Sequence, residues 1–394
     1  MPLTTENSFH DAPQGVIQWP VLLLLLSLVI VIPLLLTSEP RLALLLLIGV
    51  ALGITLQHAA FGFTSAYRRF MLYRDTSALN AQLVMLAVAT LLFAPILSSG
   101  AVFGHGVAGA VAPAGLQVAA GAFLFGIGMQ LGDGCGSGTL YKAGGGAPRM
   151  LITLFAFCAG SFWASLHMGW WQQLPSLQTQ SLAEPLGYPA AVSIQLAFIT
   201  LLALLLRRWR SRQKPTVTPP QRGWRHLLSG PWPLVIGALL LALLNFATLL
   251  TAGHPWTITW AFTLWGAKAA VLLGWDPSSA PFWSGAFQQS ALQAGILQDV
   301  TSVMNIGILL GALAAAGLGG RFAPSFSIPL RSLAAAVIGG LLMGYGARIA
   351  YGCNIGAFFS GIASLSLHGW LWIACALLGS ALGVRWRPRL GLSN

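Results

Sequence analysis

The chain has 394 residues, 56% of them hydrophobic and only 7% charged, with a formal net charge of +12 and a mean hydropathy of +0.76. A soluble domain carries roughly a quarter charged residues, so this composition excludes one and points to many membrane-spanning helices. The basic excess falls between apolar runs rather than along one face, which excludes nucleic acid as a partner and makes those residues topology signals.

In chain order, the first 18 residues lack a basic n-region and carry Glu6 and Asp11, so residues 19–36 read as a retained helix and not as a cleaved signal. Apolar runs long enough to span a bilayer then predict helices at 41–58, 80–97, 115–131, 149–168 and 190–206. The stretch 207–226, "RRWRSRQKPTVTPPQRGWRH", holds seven Lys/Arg and no acid and reads as a cytoplasmic linker. Beyond it, helices are predicted at 231–251, 299–318, 332–350 and 367–384, ten spans in all.

Four intervening segments are too broken to span as regular helices: 59–74, 132–147, 254–275 and 352–366. They are expected to be re-entrant helix-loops. Non-helical backbone at membrane depth is tolerable only where protein or a water-filled cavity satisfies its amides.

The halves of the chain echo each other. "GFTSAYRRF" matches "AFTLWGAKA", "DTSALN" matches "DVTSVMN", and "FGIGMQLGDGCGSG" matches "MGYGARIAYGCNIG". The expected organisation is an extra helix at 1–40, a first repeat at 41–206, the linker at 207–230 and a second repeat at 231–394. With the linker inside and four non-crossing loops, 17 of the 20 Lys/Arg lie on the cytoplasmic side together with both termini. Only Arg41, Lys268 and Arg348 lie elsewhere. Equivalent helices are then five crossings apart, so the repeat is inverted. The fold class is an all-α polytopic membrane protein with an inverted internal repeat, placed in a bacterial cytoplasmic membrane with the lipid bilayer as its solvent.

Internal repeats flanking broken helices point to a transport site. The candidate path residues are Cys135 with Gly134, Gly136 and Gly138, and Cys353 with Gly352, Asn354 and Gly356. Their glycines leave amides free to face a cavity, and short helices there can aim N-terminal amides at an anion. The thiols add soft, weakly hydrogen-bonding groups suited to a solute containing sulfur or selenium. Lys268 and Arg348 join the list as intramembrane cations, and Asp133, Asp299 and Asn305 as further costly polar groups. Cys158 and Cys375, inside ordinary helices, read as core residues. His58, His167 and His254 lack metal-ligand spacing, and no GxxxxGK[ST] occurs, so neither a metal nor a nucleotide cofactor is expected. Two readings remain open: a permease for a small sulfur or selenium anion, and a membrane thiol oxidoreductase or sulfurtransferase using the same two cysteines. A structural scaffold is a third.

The two G-C segments, with "GFTSAYRR", "FTLWGAKAAVLLG" and "DVTSVMNIGILLGALAAA", resemble the YeeE/YedE family of sulfur-transport membrane proteins over residues 41–385. The resemblance implies an hourglass of helices pinched by inward-plunging helix-loops. It also implies thiosulfate-type transport without a lasting covalent step, with Cys135 and Cys353 as relay positions and no enzyme activity. Thiosulfate-type members carry another cysteine in an F-C-F pattern of the first loop, where this chain has Gly62, and other members are linked to selenium metabolism. A soluble cytoplasmic sulfur-handling protein is a further partner implied by the resemblance alone.

Overall fold

The computed structural model describes residues 18–35, 39–178, 180–209 and 228–394. Most of the expected basic linker therefore lies outside the described residues, as does the segment before residue 18. Ten long helices occupy the ten predicted positions. They are α1 (Trp19–Leu35), α2 (Pro40–His58), α4 (Ser77–Ser99), α5 (Leu116–Gly132), α7 (Pro148–Leu166), α8 (Tyr188–Trp209), α9 (Leu234–Ala252), α11 (Val300–Leu318), α12 (Leu330–Ile349) and α13 (Leu367–Trp386). Among the described residues, nine stretches have the length and apolarity to cross a membrane. The 17 residues of α1 sit at the short end of what a span requires.

Four shorter elements fall on the four broken segments. They are α3 (Phe63–Tyr73), α6 (Gly136–Gly144), α10 (Thr259–Leu272) and a π-helix at Asn354–Ser360. The only paired strands among the described residues form a two-residue hairpin, Ala101–Val102 against His105–Gly106. The molecule is an all-α polytopic membrane protein.

Helix ends follow local chemistry. Pro40 and Pro148 open α2 and α7 at positions that need no amide donor. Gly100 and Gly253 close α4 and α9 in the left-handed conformation. The echoed acids Asp75 and Asp299 do the same work at two helix starts: Asp75 accepts from the Ser77 amide at 3.0 Å and Asp299 from the Ser302 amide at 2.7 Å.

Packing pairs the early helices with the late ones crosswise. Helix α2 packs on α11 as α9 packs on α4, and α5 packs on α13 as α12 packs on α7. Helices α2 and α9 also meet each other, as do α5 and α12. The short elements obey the same exchange, with α6 against α7 and the π-helix against α13. Small residues permit the closest crossings. A β-carbon on Gly49 of α2 would stand 2.5 Å from the Met304 carbonyl oxygen of α11, and one on Gly307 of α11 would stand 2.6 Å from the Leu46 carbonyl oxygen. Helices α1 and α8, which have no counterpart in this exchange, lie against α11 and α4.

Candidate functional site

The two cysteine turns are built alike. Helix α5 ends at Asp133 in the left-handed region (φ 60°), and α12 runs out through Tyr351 in the same region (φ 58°). Gly134 donates its amide to the Met129 carbonyl at 3.2 Å, and Gly352 donates to Ala347 at 2.9 Å, each five residues back. The cysteines follow in extended backbone, Cys135 at φ −90°, ψ −168° and Cys353 at φ −105°, ψ −163°. Each then caps the next helix with its sulfur. The Gly138 amide donates to Cys135 Sγ at 3.4 Å, and the Ile355 amide donates to Cys353 Sγ at 3.4 Å. Both thiols thus sit where free amides and the helix dipole favour negative charge.

Both cysteines are buried, at 1% and 0% exposure. The turns meet in the interior: Cys353 Sγ lies 3.0 Å from the place a β-carbon on Gly136 would take. Gly136 permits that closeness, since a β-carbon there would press on the sulfur and require it to give by a few tenths of an ångström. Ser137 Oγ reaches Cys135 Sγ at 3.3 Å. Among the described residues all four cysteines are free thiols.

Buried polar side chains, of which Tyr67, Gln130 and Asn245 lie outside the predicted set, tie the elements around the turns together. Asn354 Nδ2 donates to the Tyr67 hydroxyl at 3.1 Å, joining the second turn to α3. Gln130 Nε2 donates to the Thr64 carbonyl at 3.2 Å, and Asn305 Nδ2 to the Ile258 carbonyl at 3.0 Å. Asn245 accepts from the Trp256 amide at 2.8 Å and donates to Ser360 Oγ at 3.1 Å. Amide side chains thereby hold the N-terminal ends of α3 and α10 and both ends of the π-helix. The acceptor oxygens of Asn354, Asn305 and Gln130 and the hydroxyls of Thr64 and Thr139 are buried without a hydrogen-bond partner among the described residues. Phe358 walls the site, edge-on to Phe63 at 6.2 Å and stacked near Trp372 at 6.5 Å. The signal for Tyr67 lies in the echoed "GFTSAYRRF", where the glycine stands out and the phenol does not.

Asp133 receives three cations: Arg68 Nη1 at 2.9 Å, Lys142 Nζ at 2.9 Å and Arg387 Nη1 at 3.2 Å. Lys268 Nζ donates to the carbonyls of Leu292 and Ala294 at 2.6 and 2.7 Å, so its charge is spent holding that segment to α10. The guanidinium of Arg348 lies 5.0 Å from the ring centre of Phe282, and its Nε is buried without a hydrogen-bond partner among the described residues. The bonds and ring contact of these two cations run to residues 282–294 and not to the cysteine turns. Gly356 faces the Thr257 side chain, and a β-carbon on Gly138 would stand 3.5 Å from Cys135 Sγ. Gly62 precedes α3 and borders a cavity of about 40 Å³. No group of three or more His, Cys, Asp or Glu side chains forms a metal-binding cluster among the described residues.

The profile of the sulphur-transport family matches residues 58–382, which takes in both cysteine turns and every helix from α3 to α12. The chain belongs to that family. It is 27% identical to the thiosulfate transporter TsuA of Spirochaeta thermophila over 350 residues, covering 85% of this chain and 96% of that protein. It is likewise 27% identical to the TsuA of Escherichia coli over 354 residues, covering 85% and 91%. The probable transporter YedE of Escherichia coli is 33% identical over 165 residues, 42% of this chain and 39% of that protein. Family membership makes the chain a multi-pass membrane protein of sulphur transport and not an enzyme.

Proposed function

We propose that this chain imports a small sulfur-containing oxyanion of the thiosulfate type across a bacterial cytoplasmic membrane, along a path that passes between Cys135 and Cys353. The four short elements are re-entrant in this reading, with α3 and α6 entering from the cytoplasmic side and α10 and the π-helix from the other. The observation that carries it is the meeting of two equivalent turns, each with a buried sulfur at the amide-rich start of a helix. A sulfur-bearing anion can accept hydrogen bonds from the free amides and thiols on both sides, and the unpartnered hydroxyls of Thr64 and Thr139 can donate further ones. Such groups are costly when buried unpaired, which supports a polar occupant. The two TsuA relatives, named as thiosulfate transporters, support the choice of solute. A selenium oxyanion fits the same soft thiols.

The test is uptake of isotope-labelled thiosulfate into proteoliposomes, with selenite and selenate in parallel. Cys135→Ala and Cys353→Ala, each verified as folded and inserted, are expected to lose uptake. Uptake that survives in both variants sinks the thiol path. A stable cysteine modification detected by mass spectrometry during turnover favours the thiol-enzyme reading instead.

A further inference from the structure

We propose that the two cysteine turns are chemically unequal and hold the transported ion in one orientation, its oxygens towards Thr139 of the Cys135 turn and its terminal sulfur towards Cys353. The proposal rests on the transport reading above. It adds to that reading a specificity-determining residue, Thr139, and a class of solute: an anion with a hard oxygen end and a soft chalcogen end.

The turns can be compared position by position because their backbones match. A β-carbon on Gly134 would stand 3.1 Å from the Thr139 amide nitrogen, and one on Gly352 would stand 2.7 Å from that of Ala357. Each would also meet the side chain of that residue at 3.3 Å, Oγ1 in Thr139 and Cβ in Ala357. The fourth position after the cysteine thus presents a hydroxyl in one turn and a methyl in the other. The second position repeats the difference, with Ser137 against Ile355. Ser137 Oγ lies 3.3 Å from Cys135 Sγ, whereas Cys353 Sγ accepts from the Ile355 amide and no hydroxyl reaches it among the described residues.

Thr139 decides the oxygen end. Its side chain is buried at 0% exposure, and its Oγ1 has no hydrogen-bond partner among the described residues. A threonine inside a helix ordinarily spends its hydroxyl on the carbonyl four residues back. Here that carbonyl belongs to Cys135, and it accepts from the Thr139 amide at 2.8 Å and not from the hydroxyl. A buried hydroxyl left unspent is costly. This one stands beside Gly134, one helical turn from the thiol, and an oxyanion oxygen is the acceptor it lacks.

The other turn offers the opposite surroundings. Ile355, Ala357, Phe358 and Phe359 follow Cys353 and are all buried. Phe358 stands edge-on to Phe63 at 6.2 Å and stacked near Trp372 at 6.5 Å. The unpartnered polar atom of this turn is an acceptor, Asn354 Oδ1, which has nothing to donate to an oxyanion. A polarizable sulfur is favoured beside a thiol and aromatic rings, and a strongly hydrated oxygen is not. An ion with both ends satisfies both turns at once, while an ion with one kind of end satisfies half the site.

The experiment uses the full chain, purified in detergent, with labelled thiosulfate as the bound probe. Two ions compete with it: sodium sulfate, which offers only oxygens, and sodium iodide, which offers a single soft atom. Sodium chloride keeps the ionic strength constant. The near-isosteric Thr139→Val should raise the inhibition constant of sulfate about tenfold and leave that of iodide unchanged. Thr139→Ser, which keeps the hydroxyl, should restore sulfate competition. Cys353→Ser, a hard atom for a soft one, should raise the iodide constant about tenfold and spare sulfate. A hydroxyl that only holds water or only packs predicts that Thr139→Val leaves the ratio of the two constants unchanged, and that result overturns the proposal. Equal weakening of both competitors by Cys353→Ser overturns it as well. Either result, in a protein whose uptake into proteoliposomes still needs both cysteines, removes the orientation and leaves the transport reading standing. The expected selectivity in a protein that binds thiosulfate and does not import it does the reverse.

Discussion

The Cys135 turn and the Cys353 turn share a backbone and differ in almost everything around it. The first is followed by a regular α-helix and anchored by charge, with Arg68, Lys142 and Arg387 all on Asp133. The second is followed by a π-helix in which the Phe358 amide donates to the Cys353 carbonyl, five residues back, at 3.3 Å. That turn is held by Asn354 on Tyr67 and by the Trp372 indole on the Gly352 carbonyl at 3.1 Å, with Tyr351 standing where the first turn has Asp133. Duplicated geometry thus presents the sulfur in the same way twice, while the supports have diverged into ion pairs on one side and amide and aromatic contacts on the other. The wider hydrogen-bond loop of the π-helix is a form often found at functional sites.

That contrast can be broken or sharpened by substitution, beginning with the largest expected effect. Asp133→Ala removes the carboxylate that Arg68, Lys142 and Arg387 share and should lower stability by about 3 kcal/mol. Tyr351→Ala, at the matching position, has no charge to strand and should cost about 1–2 kcal/mol; equal losses in thermal unfolding would erase the distinction between the turns. Gly352 has φ 154°, and a β-carbon there would stand 2.7 Å from the Ala357 amide nitrogen, so Gly352→Ala should cost about 2 kcal/mol. Gly134→Ala meets the Thr139 nitrogen at 3.1 Å without that backbone strain and should cost less than about 1 kcal/mol. Asn354→Leu strands the Tyr67 hydroxyl and should cost about 1 kcal/mol while lowering uptake more than Ser137→Ala, which removes only a weak contact to sulfur. The smallest change is expected from Asp75→Asn, whose partner Arg69 is half exposed: below about 1 kcal/mol in chemical denaturation.

Apolar run length makes the ten long helices legible, because a bilayer rewards unbroken hydrophobicity and little else. The cysteine turns are legible because helix packing alone does not demand the same Gly-Cys spacing twice, half a chain apart. Their supports are not. Nothing in periodicity says that Asn354 will find Tyr67, 287 positions earlier in the chain. Lys268 and Arg348 stand out as rare intramembrane charges, yet rarity carries no direction, and their partners lie in residues 282–294.

The crosswise packing bears on how the molecule is made. Helix α5 leaves the insertion machinery early, but its large partners α12 and α13 are among the last to be synthesised, and α2 waits likewise for α9 and α11. The glycine faces of the early helices must therefore remain in lipid, unmatched, until translation is nearly complete. Consolidation is then a late, concerted event rather than a domain-by-domain one. A nascent chain halted before α12 would expose its small-residue seams to quality control, and two fragments divided between α8 and α9 should each be short-lived alone and rescue one another when produced together.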